Sequence, residues 1–443
     1  MSELQAERPA VEAVAEKRRP GAAAWIGGQL RESYVQLFAS QLLTGGVAFV
    51  ANILMVRALA PAHRGEVALM LQVVYLATQF MLLGTERSFV ASYHEITPAA
   101  AVKAYAKLLI VPCAVGVALA AGFEVFAPEH YNPGLLVIGL ITLYTLVEVA
   151  GLATRSIAIA AGRVGDFLVC RVVEALLLLG LLVVLYAADT TTPALWIVAY
   201  LIAGLLPTAV YIVLWLRRPA PPGDETPDHN RLVRREGLAL FPAAISNMAM
   251  LRSDRLALPA LASTSALGLY TAVATMTELL AWPIRAYADA RLGKWRRAHQ
   301  DGALPTRPIL LGVFVYCAVV APIAAGGLYL FIVPVFGADY APAKAVVVPL
   351  VAAAGLYAIS RVTLGLLIAK GRGSLVSAAE ITGFVVSFVA YITLIPPFGI
   401  LGAAYGSLIG YGSCLLFALA ANHLSPERSA ANHLSPEREA DRE

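Results

Sequence analysis

The sequence predicts an all-α, polytopic membrane protein with about twelve transmembrane helices arranged as two parallel six-helix lobes. Three observations predict this fold class. The composition is strongly apolar, the chain contains twelve separate apolar runs of membrane-spanning length, and an internal repeat relates its two halves.

The apolar excess extends along the whole chain. Of the 443 residues, 59% are hydrophobic and 14% are charged, and the mean hydropathy is +0.72. Soluble domains carry about 25% charged residues. The formal net charge is only +4, without the basic stripe that nucleic-acid readers need. The four cysteines show no metal-ligand spacing. We therefore expect no nucleic-acid partner, no metal and no cofactor.

Twelve apolar runs are long enough to cross a bilayer, which takes about 20 residues per helix. Because backbone polar groups in lipid must be satisfied within the segment, each run is predicted to be helical. The predicted spans, numbered 1 to 12, lie near 36–56, 66–84, 104–123, 134–154, 167–187, 194–216, 238–258, 266–284, 309–333, 345–369, 375–395 and 399–420.

The distribution of Lys and Arg predicts the orientation, because cytoplasmic loops carry the excess. With the N-terminus placed inside, 27 of the 33 basic residues fall in inner segments and three in outer loops. Both termini are therefore predicted to be cytoplasmic. The predicted organisation is a disordered tail at 1–34, an N-lobe at 35–216, a linker at 217–237, a C-lobe at 238–421 and a disordered tail at 422–443. The motif ANHLSPER occurs twice near the C-terminus.

A shift of 209 residues relates the two halves. It aligns Tyr131–Pro133 with Tyr340–Pro342, and Ile159–Arg163 with Ile368–Arg372, the second pair sharing a Gly-Arg sequence. Each half carries six spans, so both enter the membrane in the same direction. Transporters built from parallel repeats place their site between the halves.

Four turn sequences carry a resemblance: Met55–Gly65, Arg252–Arg255, Leu267–Tyr270 and Phe336–Tyr340. They resemble turns of the oligosaccharide (O-antigen type) flippases, a bacterial family of the multidrug/oligosaccharidyl-lipid/polysaccharide (MOP) exporter superfamily. The resemblance covers roughly 31–421, with one departure: Ala60 stands before Pro61 where the family favours glycine. It implies two lobes in a V, a central cavity and alternating access without ATP.

The resemblance also implies a function. The chain would flip a polyprenyl-pyrophosphate-linked oligosaccharide from the cytoplasmic to the outer leaflet of the bacterial plasma membrane, for cell-surface polysaccharide synthesis. Its partners would be that substrate and membrane lipids, with glycan polymerase or ligase machinery as a further candidate. Two alternatives remain open: a drug/cation antiporter like the multidrug and toxin extrusion (MATE) transporters, and an integral-membrane glycan polymerase or ligase. The short outer loops disfavour the enzyme.

Polar residues within spans are candidate functional residues, because charge in a membrane is costly. Arg252 and Arg255 share one face of span 7, and guanidinium groups suit a pyrophosphate. Pairing with Asp254 or contact with headgroups is the local alternative. The other candidate substrate-binding residues are Arg57, Arg64, Asn52, Gln41 and Asn247. Helix-to-helix hydrogen bonds are the alternative for the amides.

Two further sets of charges have separate predicted roles. Glu278 lies near the middle of span 8, either as a coupling carboxylate or as a neutral group bonded to Asn247. Two ion pairs are predicted to be structural: Glu148 with Arg171, and Arg361 with Glu380. The repeat places Glu380 and Arg171 at equivalent positions, so the two pairs would hold equivalent helices together with opposite signs.

Overall fold

The computed structural model describes residues 33–93, 96–126, 134–217 and 229–424. The predicted tails, most of the predicted linker and the repeated ANHLSPER motif lie largely outside these ranges.

The described residues form helices and no strand. Twelve helices are long and one, α3, is short. Their bounds are α1 Ser33–Ala58, α2 Pro61–Leu82, α3 Thr85–Ser92, α4 Pro98–Phe126, α5 Leu135–Ala160, α6 Val164–Ala187, α7 Pro193–Leu216, α8 Asn230–Leu261, α9 Thr264–Gln300, α10 Thr306–Phe331, α11 Val347–Ala369, α12 Gly373–Phe398 and α13 Ile400–His423. A π turn and a 3₁₀ segment, Ile332–Phe336 and Ala338–Val346, join α10 to α11. The long helices correspond in order to the twelve predicted spans.

Nine candidate membrane spans are found in the described part of the chain by length and composition. They include α2, α4 to α7 and α10 to α13. Of the three other long helices, α1 is apolar over the shorter stretch Leu43–Ala58, and α8 and α9 carry the charged residues of the site described below. The prediction of a polytopic all-α membrane protein is confirmed.

Two helix boundaries differ most from the predicted spans. Helix α8 begins at Asn230, inside the segment 217–237 that was predicted to be a linker. Helix α9 has 37 residues, which at about 1.5 Å per residue exceeds the roughly 30 Å of a bilayer core. Both helices therefore extend beyond the apolar runs that predicted them, through charged sequence that hydropathy alone could not assign.

The Gly-Arg sequence of the repeat forms the same turn in both halves. Gly162 and Gly371 adopt φ of 64° and 72°, the left-handed region that glycine enters without strain. The following amides, of Arg163 and Arg372, donate to the carbonyls of Ala158 and Leu367 at 2.7 and 2.9 Å. This is the pattern that closes a helix at a left-handed glycine, and it explains why the sequence repeats there.

The 209-residue shift also relates helix ends. It carries the end of α5, Ala160, onto the end of α11, Ala369, and the start of α6, Val164, onto the start of α12, Gly373. Short α3 maps onto the last turns of α9. The first half breaks there at Leu83 and Gly84, both with positive φ, whereas α9 continues unbroken.

Within each half, helices pack both on neighbours in sequence and on helices several elements away. In the second half α12 packs on α13, and α11 lies against both α9 and α13. In the first half α6 contacts α1 and α7, and α5 contacts α2 and α7. The halves meet chiefly where α2 packs on α9 and where α8 packs on α2 and α3. The described helices thus place α2, α8 and α9 at the junction.

Candidate functional site

A cavity of about 260 Å³ lies in the second half, between α8, α9, α11 and α13. Helix α9 supplies much of the lining at helical spacing, with side chains at positions 270, 274, 277, 278, 281, 282, 285 and 289. Residues three, four and seven apart share one helix face. The charged residues among the lining are Arg252, Asp254, Glu278, Arg285 and Asp289.

Arg252 and Arg255 both contact Glu278 across the α8–α9 packing. Arg252 Nη1 lies 3.2 Å from Glu278 Oε1, and Arg255 Nη2 donates to the same oxygen. The Arg255 side chain is 11% exposed and that of Glu278 is 34% exposed. The sequence placed the two arginines on one face, but it did not predict that one carboxylate would join them. Glu278, predicted as a coupling group, therefore lies in an ion pair.

Arg252 also reaches the first half of the chain. Its guanidinium carbon lies 5.7 Å from the centre of the Tyr75 ring on α2, within the range of a cation–π contact. The described residues that line the cavity all belong to the second half, whereas the sequence placed the site between the halves. Arg252 is one cavity residue that contacts the first half.

Among the described residues, the Asp254 side chain makes no ion pair or hydrogen bond with a guanidinium group. Its Oδ1 accepts the backbone N–H of Arg255 at 2.8 Å, and its Oδ2 accepts the Tyr270 hydroxyl at 2.6 Å. Ser407 lies 3.2 Å from Tyr270 and 2.9 Å from the Tyr391 hydroxyl. All of these groups are buried. The chain of hydrogen bonds ties α8, α9, α12 and α13 into one wall of the cavity.

Arg64 and Asn52 lie at the junction of the halves rather than in the cavity. Arg64 Nη2 donates to Asn52 Oδ1 at 2.9 Å, and Asn52 Nδ2 donates to the Ala272 carbonyl at 3.0 Å. Arg64 is 4% exposed, and neither its Nε nor its Nη1 makes a hydrogen bond within the described residues. These two predicted substrate-binding residues thus link α1, α2 and α9.

Arg57, another predicted substrate-binding residue, is exposed and donates through Nη2 to the Pro334 carbonyl at 2.8 Å. That bond links the end of α1 to the π turn after α10, so it too joins the halves. The side chains of Gln41 and Asn247 lie outside the described set. Their predicted roles, including a bond from Asn247 to Glu278, stay predictions.

The halves meet closely at the end of the bundle that was predicted to face outward. A Cβ atom on Gly65 would overlap the Thr264 carbonyl oxygen, and one on Gly268 would overlap that of Pro61. Close by, the Tyr340 hydroxyl donates to the Leu59 carbonyl at 2.9 Å. Helices α2 and α9 are therefore in backbone contact, and this end is closed.

Contacts also join the halves towards the other end. Trp282, on the cavity wall, packs against Gly45 of α1 so closely that a Cβ there would overlap its ring. Further along, Ser88 of α3 donates to the Val233 carbonyl at 2.9 Å, and Tyr93 Oη donates to Asn230 Oδ1 at 3.1 Å. Here the charged start of α8 lies on the first half.

One predicted ion pair is present and the other has a different partner. Arg361 Nη1 lies 3.0 Å from Glu380 Oε1, joining α11 to α12. The predicted pair of Glu148 with Arg171 is wrong. Arg171 contacts Glu174 on its own helix, 2.7 Å from Nη1 to Oε2, and Glu148 accepts the Tyr144 hydroxyl at 2.9 Å. The repeat places Leu152 where the second half has Arg361. Arg171 instead contacts a carboxylate one turn along its own helix.

Sequence reasoning missed the aromatic residues around the arginines. Tyr75 and Trp282 were not singled out as site residues, although Trp282 lies four residues after Glu278 and so shares its helix face. Reading the whole α9 stripe at helical spacing from Glu278 would have found Trp282 as well as Arg285 and Asp289.

Comparison with known proteins gives a family and a fold. A family model described as polysaccharide biosynthesis protein matches residues 30–287. No curated protein matches the sequence. Among solved structures, the chain is similar to an inward-facing multidrug resistance MATE family transporter of the MOP superfamily, at 12% identity and a TM-score of 0.65. That match covers 86% of this chain and 93% of the other.

Two more solved structures have the same fold. The lipid II flippase MurJ, in an inward closed conformation, matches at 11% identity and a TM-score of 0.64, covering 87% of each chain. An outward-facing MATE transporter matches at 15% identity and a TM-score of 0.61, covering 88% of this chain and 95% of the other. At these identities the similarity establishes the fold alone.

Proposed function

Because the chain belongs to the polysaccharide biosynthesis protein family and has the fold of MOP-superfamily transporters, we propose that it flips a lipid-linked oligosaccharide across the membrane. The substrate is a polyprenyl pyrophosphate carrying a short glycan, destined for cell-surface polysaccharide. It moves from the cytoplasmic to the outer leaflet by alternating access. The membrane is the bacterial plasma membrane, with both termini cytoplasmic.

The observation that carries the substrate class is the pair of guanidinium groups on α8. Arg252 and Arg255 are three residues apart and contact the same carboxylate. Arg252 lines the cavity and contacts Tyr75 of the first half. Planar guanidinium groups bind phosphate oxygens through two parallel hydrogen bonds. Glu278 Oε1 occupies a position where one anionic oxygen contacts both guanidinium groups. We assign this place to the pyrophosphate.

The remaining parts of the cavity suit the glycan. Tyr357 and Tyr411 have ring centres 5.3 Å apart, and both line the cavity together with Trp282. Aromatic rings with polar tips offer stacking faces as well as hydrogen bonds. The polyprenyl tail is too large for a cavity of about 260 Å³ and stays in lipid.

The backbone contact of α2 with α9, at the end predicted to face outward, supports entry of substrate from the opposite side. The contacts of α3 and Trp282 already join the halves on that side, so entry requires them to part. Release then requires α2 and α9 to separate. The contacts of Arg64, Asn52 and Arg57 would be remade in that motion, which is how these three residues serve transport in the proposed account.

A drug/cation antiporter is the second candidate function. The observation that favours it is that three carboxylates, of Asp254, Glu278 and Asp289, stand against two arginines among the described lining residues. Glu278 would then be the coupling group. Because Asp254 is already bonded to Tyr270 and Glu278 to two arginines, these two carboxylates are engaged, and an anionic substrate fits better.

The experiment that tests the proposed function is mass spectrometry of polyprenyl-linked intermediates after depletion of this protein in its native cell. The proposal predicts that one glycan-loaded carrier accumulates and that its surface polymer is lost. An unchanged carrier pool, with increased sensitivity to cationic drugs, would instead support the antiporter.

A further inference from the structure

The arginine pair that should receive a phosphate is already occupied by a carboxylate of the same chain. Both guanidinium groups contact the same oxygen, Glu278 Oε1. A substrate phosphate can bind Arg252 and Arg255 in full only if Glu278 leaves them. This inference rests on the proposed function and concerns how the same site loads and unloads.

We propose that Glu278 is an internal stand-in for the substrate phosphate, displaced when the lipid pyrophosphate binds and returned when it leaves. In the empty site Glu278 compensates two arginine charges that are largely removed from water. In the loaded site the pyrophosphate takes over that compensation, and Glu278 turns towards the cavity.

Electrostatics favours replacement of the Glu278 carboxylate by the substrate phosphate over binding of both anions at the arginines together. Leaving a buried charge unpaired is strongly unfavourable, so the arginines need an anion in either state. Adding a phosphate beside a retained carboxylate would place like charges within a few ångströms of each other, which is unfavourable at low dielectric. Replacing one anion by another avoids both costs.

The exposure of the three side chains supports Glu278 as the group that moves. Glu278 is the most exposed at 34%, against 23% for Arg252 and 11% for Arg255. Arg252 is further held by the Tyr75 ring, and the Arg255 backbone is held by Asp254. The arginines are thus anchored on α8, whereas the carboxylate faces open space on α9.

The exchange has a consequence for release. A bound phosphate competes continuously with a carboxylate tethered next to it, so binding is weaker than the arginines alone would give. Removing the carboxylate charge should tighten binding and slow turnover together. If the carboxylate had a purely structural role, removing its charge would weaken binding and also slow turnover.

The test is the affinity of the full-length protein, in nanodiscs, for undecaprenyl pyrophosphate. Glu278→Gln should lower the dissociation constant about tenfold and reduce transport. Asp301→Asn is the matched control, because Asp301 is an exposed carboxylate at the end of the same helix and is not among the cavity-lining residues. It should change the dissociation constant less than threefold.

A second pair of variants tests the mechanism. In an Arg255→Ala background, Glu278→Gln should give less tightening, because Arg252 is then the one guanidinium of the pair left to compete for. If Glu278→Gln does not fold, Glu278→Asp, which withdraws the carboxylate by one methylene, should tighten binding to a smaller extent.

The outcomes separate the inference from the function on which it rests. Equal effects of Glu278→Gln and Asp301→Asn, or weaker binding by Glu278→Gln, would overturn the exchange while wild-type binding upholds the proposed function. Absence of undecaprenyl pyrophosphate binding by wild type and variants alike would overturn both.

Discussion

Gly65 of α2 and Gly268 of α9 lie backbone to backbone where the two halves of the chain meet. A Cβ atom on Gly268 would approach the Gly65 nitrogen to 3.0 Å and overlap the Pro61 carbonyl oxygen. Only residues without a side chain allow helices to approach this closely. The contact closes one end of the bundle, and alternating access requires it to open.

A methyl group at Gly268 should therefore favour the open outer end. In a variant without the four native cysteines, with Ala274→Cys in the cavity lining, Gly268→Ala should raise labelling by a membrane-impermeant maleimide added from outside several-fold. The reason is steric, because the backbone of α2 must move away. Gly326→Ala is the control, since a Cβ there meets nothing within 4 Å. Equal labelling in both variants would contradict the assignment of this contact as the outer closure.

Arginine geometry, and not charge alone, should matter at position 252. Hydrogen bonds to charged groups contribute about 1.5–3 kcal/mol each, which corresponds to roughly 10- to 100-fold in affinity. Arg252→Ala should lower flipping by that factor in reconstituted vesicles, and Arg252→Lys should recover only part of it, because lysine lacks the planar fork.

The control for this prediction is Arg297→Ala, a charge removed from the exposed end of α9, which should leave flipping near the wild-type level. Full activity of Arg252→Ala would show that the substrate anion is bound elsewhere.

The pair Arg361–Glu380 should serve packing rather than transport. It joins α11 to α12 at 3.0 Å, and the Glu380 side chain is only 7% exposed. Breaking such a pair by removing one partner leaves a buried charge, at a cost of about 3–5 kcal/mol in fully buried cases. Arg361→Glu and Glu380→Arg alone should each lower the amount of folded protein.

The double variant that exchanges the two charges should restore folding, measured as the monodisperse fraction in detergent. If the exchanged variant is as poorly folded as the single ones, the two residues are not a simple pair.

The left-handed glycine of the repeated turn should be required for stability. Gly371 has φ of 72°, where a residue with a Cβ atom is disfavoured by about 1–2 kcal/mol. Gly371→Ala should lower the thermal unfolding temperature in detergent. Gly373→Ala, two residues on at the start of α12, is the matched control because its φ is not positive and its Cβ would meet nothing within 4 Å. A larger loss in Gly373→Ala would contradict the turn assignment.

The sequence predicted the helices well where apolar length decides them and where a turn needs a particular residue. The shift that aligned Gly162 with Gly371 also aligns the ends of the helices that these glycines close. The prediction of helix ends failed where a helix continues into charged sequence, as at Asn230. The apolar run stops at the membrane surface, whereas the backbone hydrogen bonds of the helix continue beyond it.

Partners of charged side chains were harder to predict than their positions. The spacing of three residues predicted that Arg252 and Arg255 share one face of the helix. Their contact with Glu278, however, depends on how α8 packs on α9. Arg171 pairs with Glu174 within its own helix, and the repeat places Leu152 on α5 where the second half has Arg361. Buried Arg64 shows the same limit: its bond to Asn52 follows from the meeting of α1 and α2.

The most direct test of the account is transbilayer movement of a polyprenyl-pyrophosphate-linked oligosaccharide in vesicles reconstituted with the purified full chain. Vesicles with wild-type protein should expose the glycan on the opposite leaflet, measured by a membrane-impermeant lectin. Vesicles with Arg252→Ala/Arg255→Ala should behave like protein-free vesicles. Equal movement with wild-type protein and with the double variant, or no movement with wild-type protein, would contradict the account.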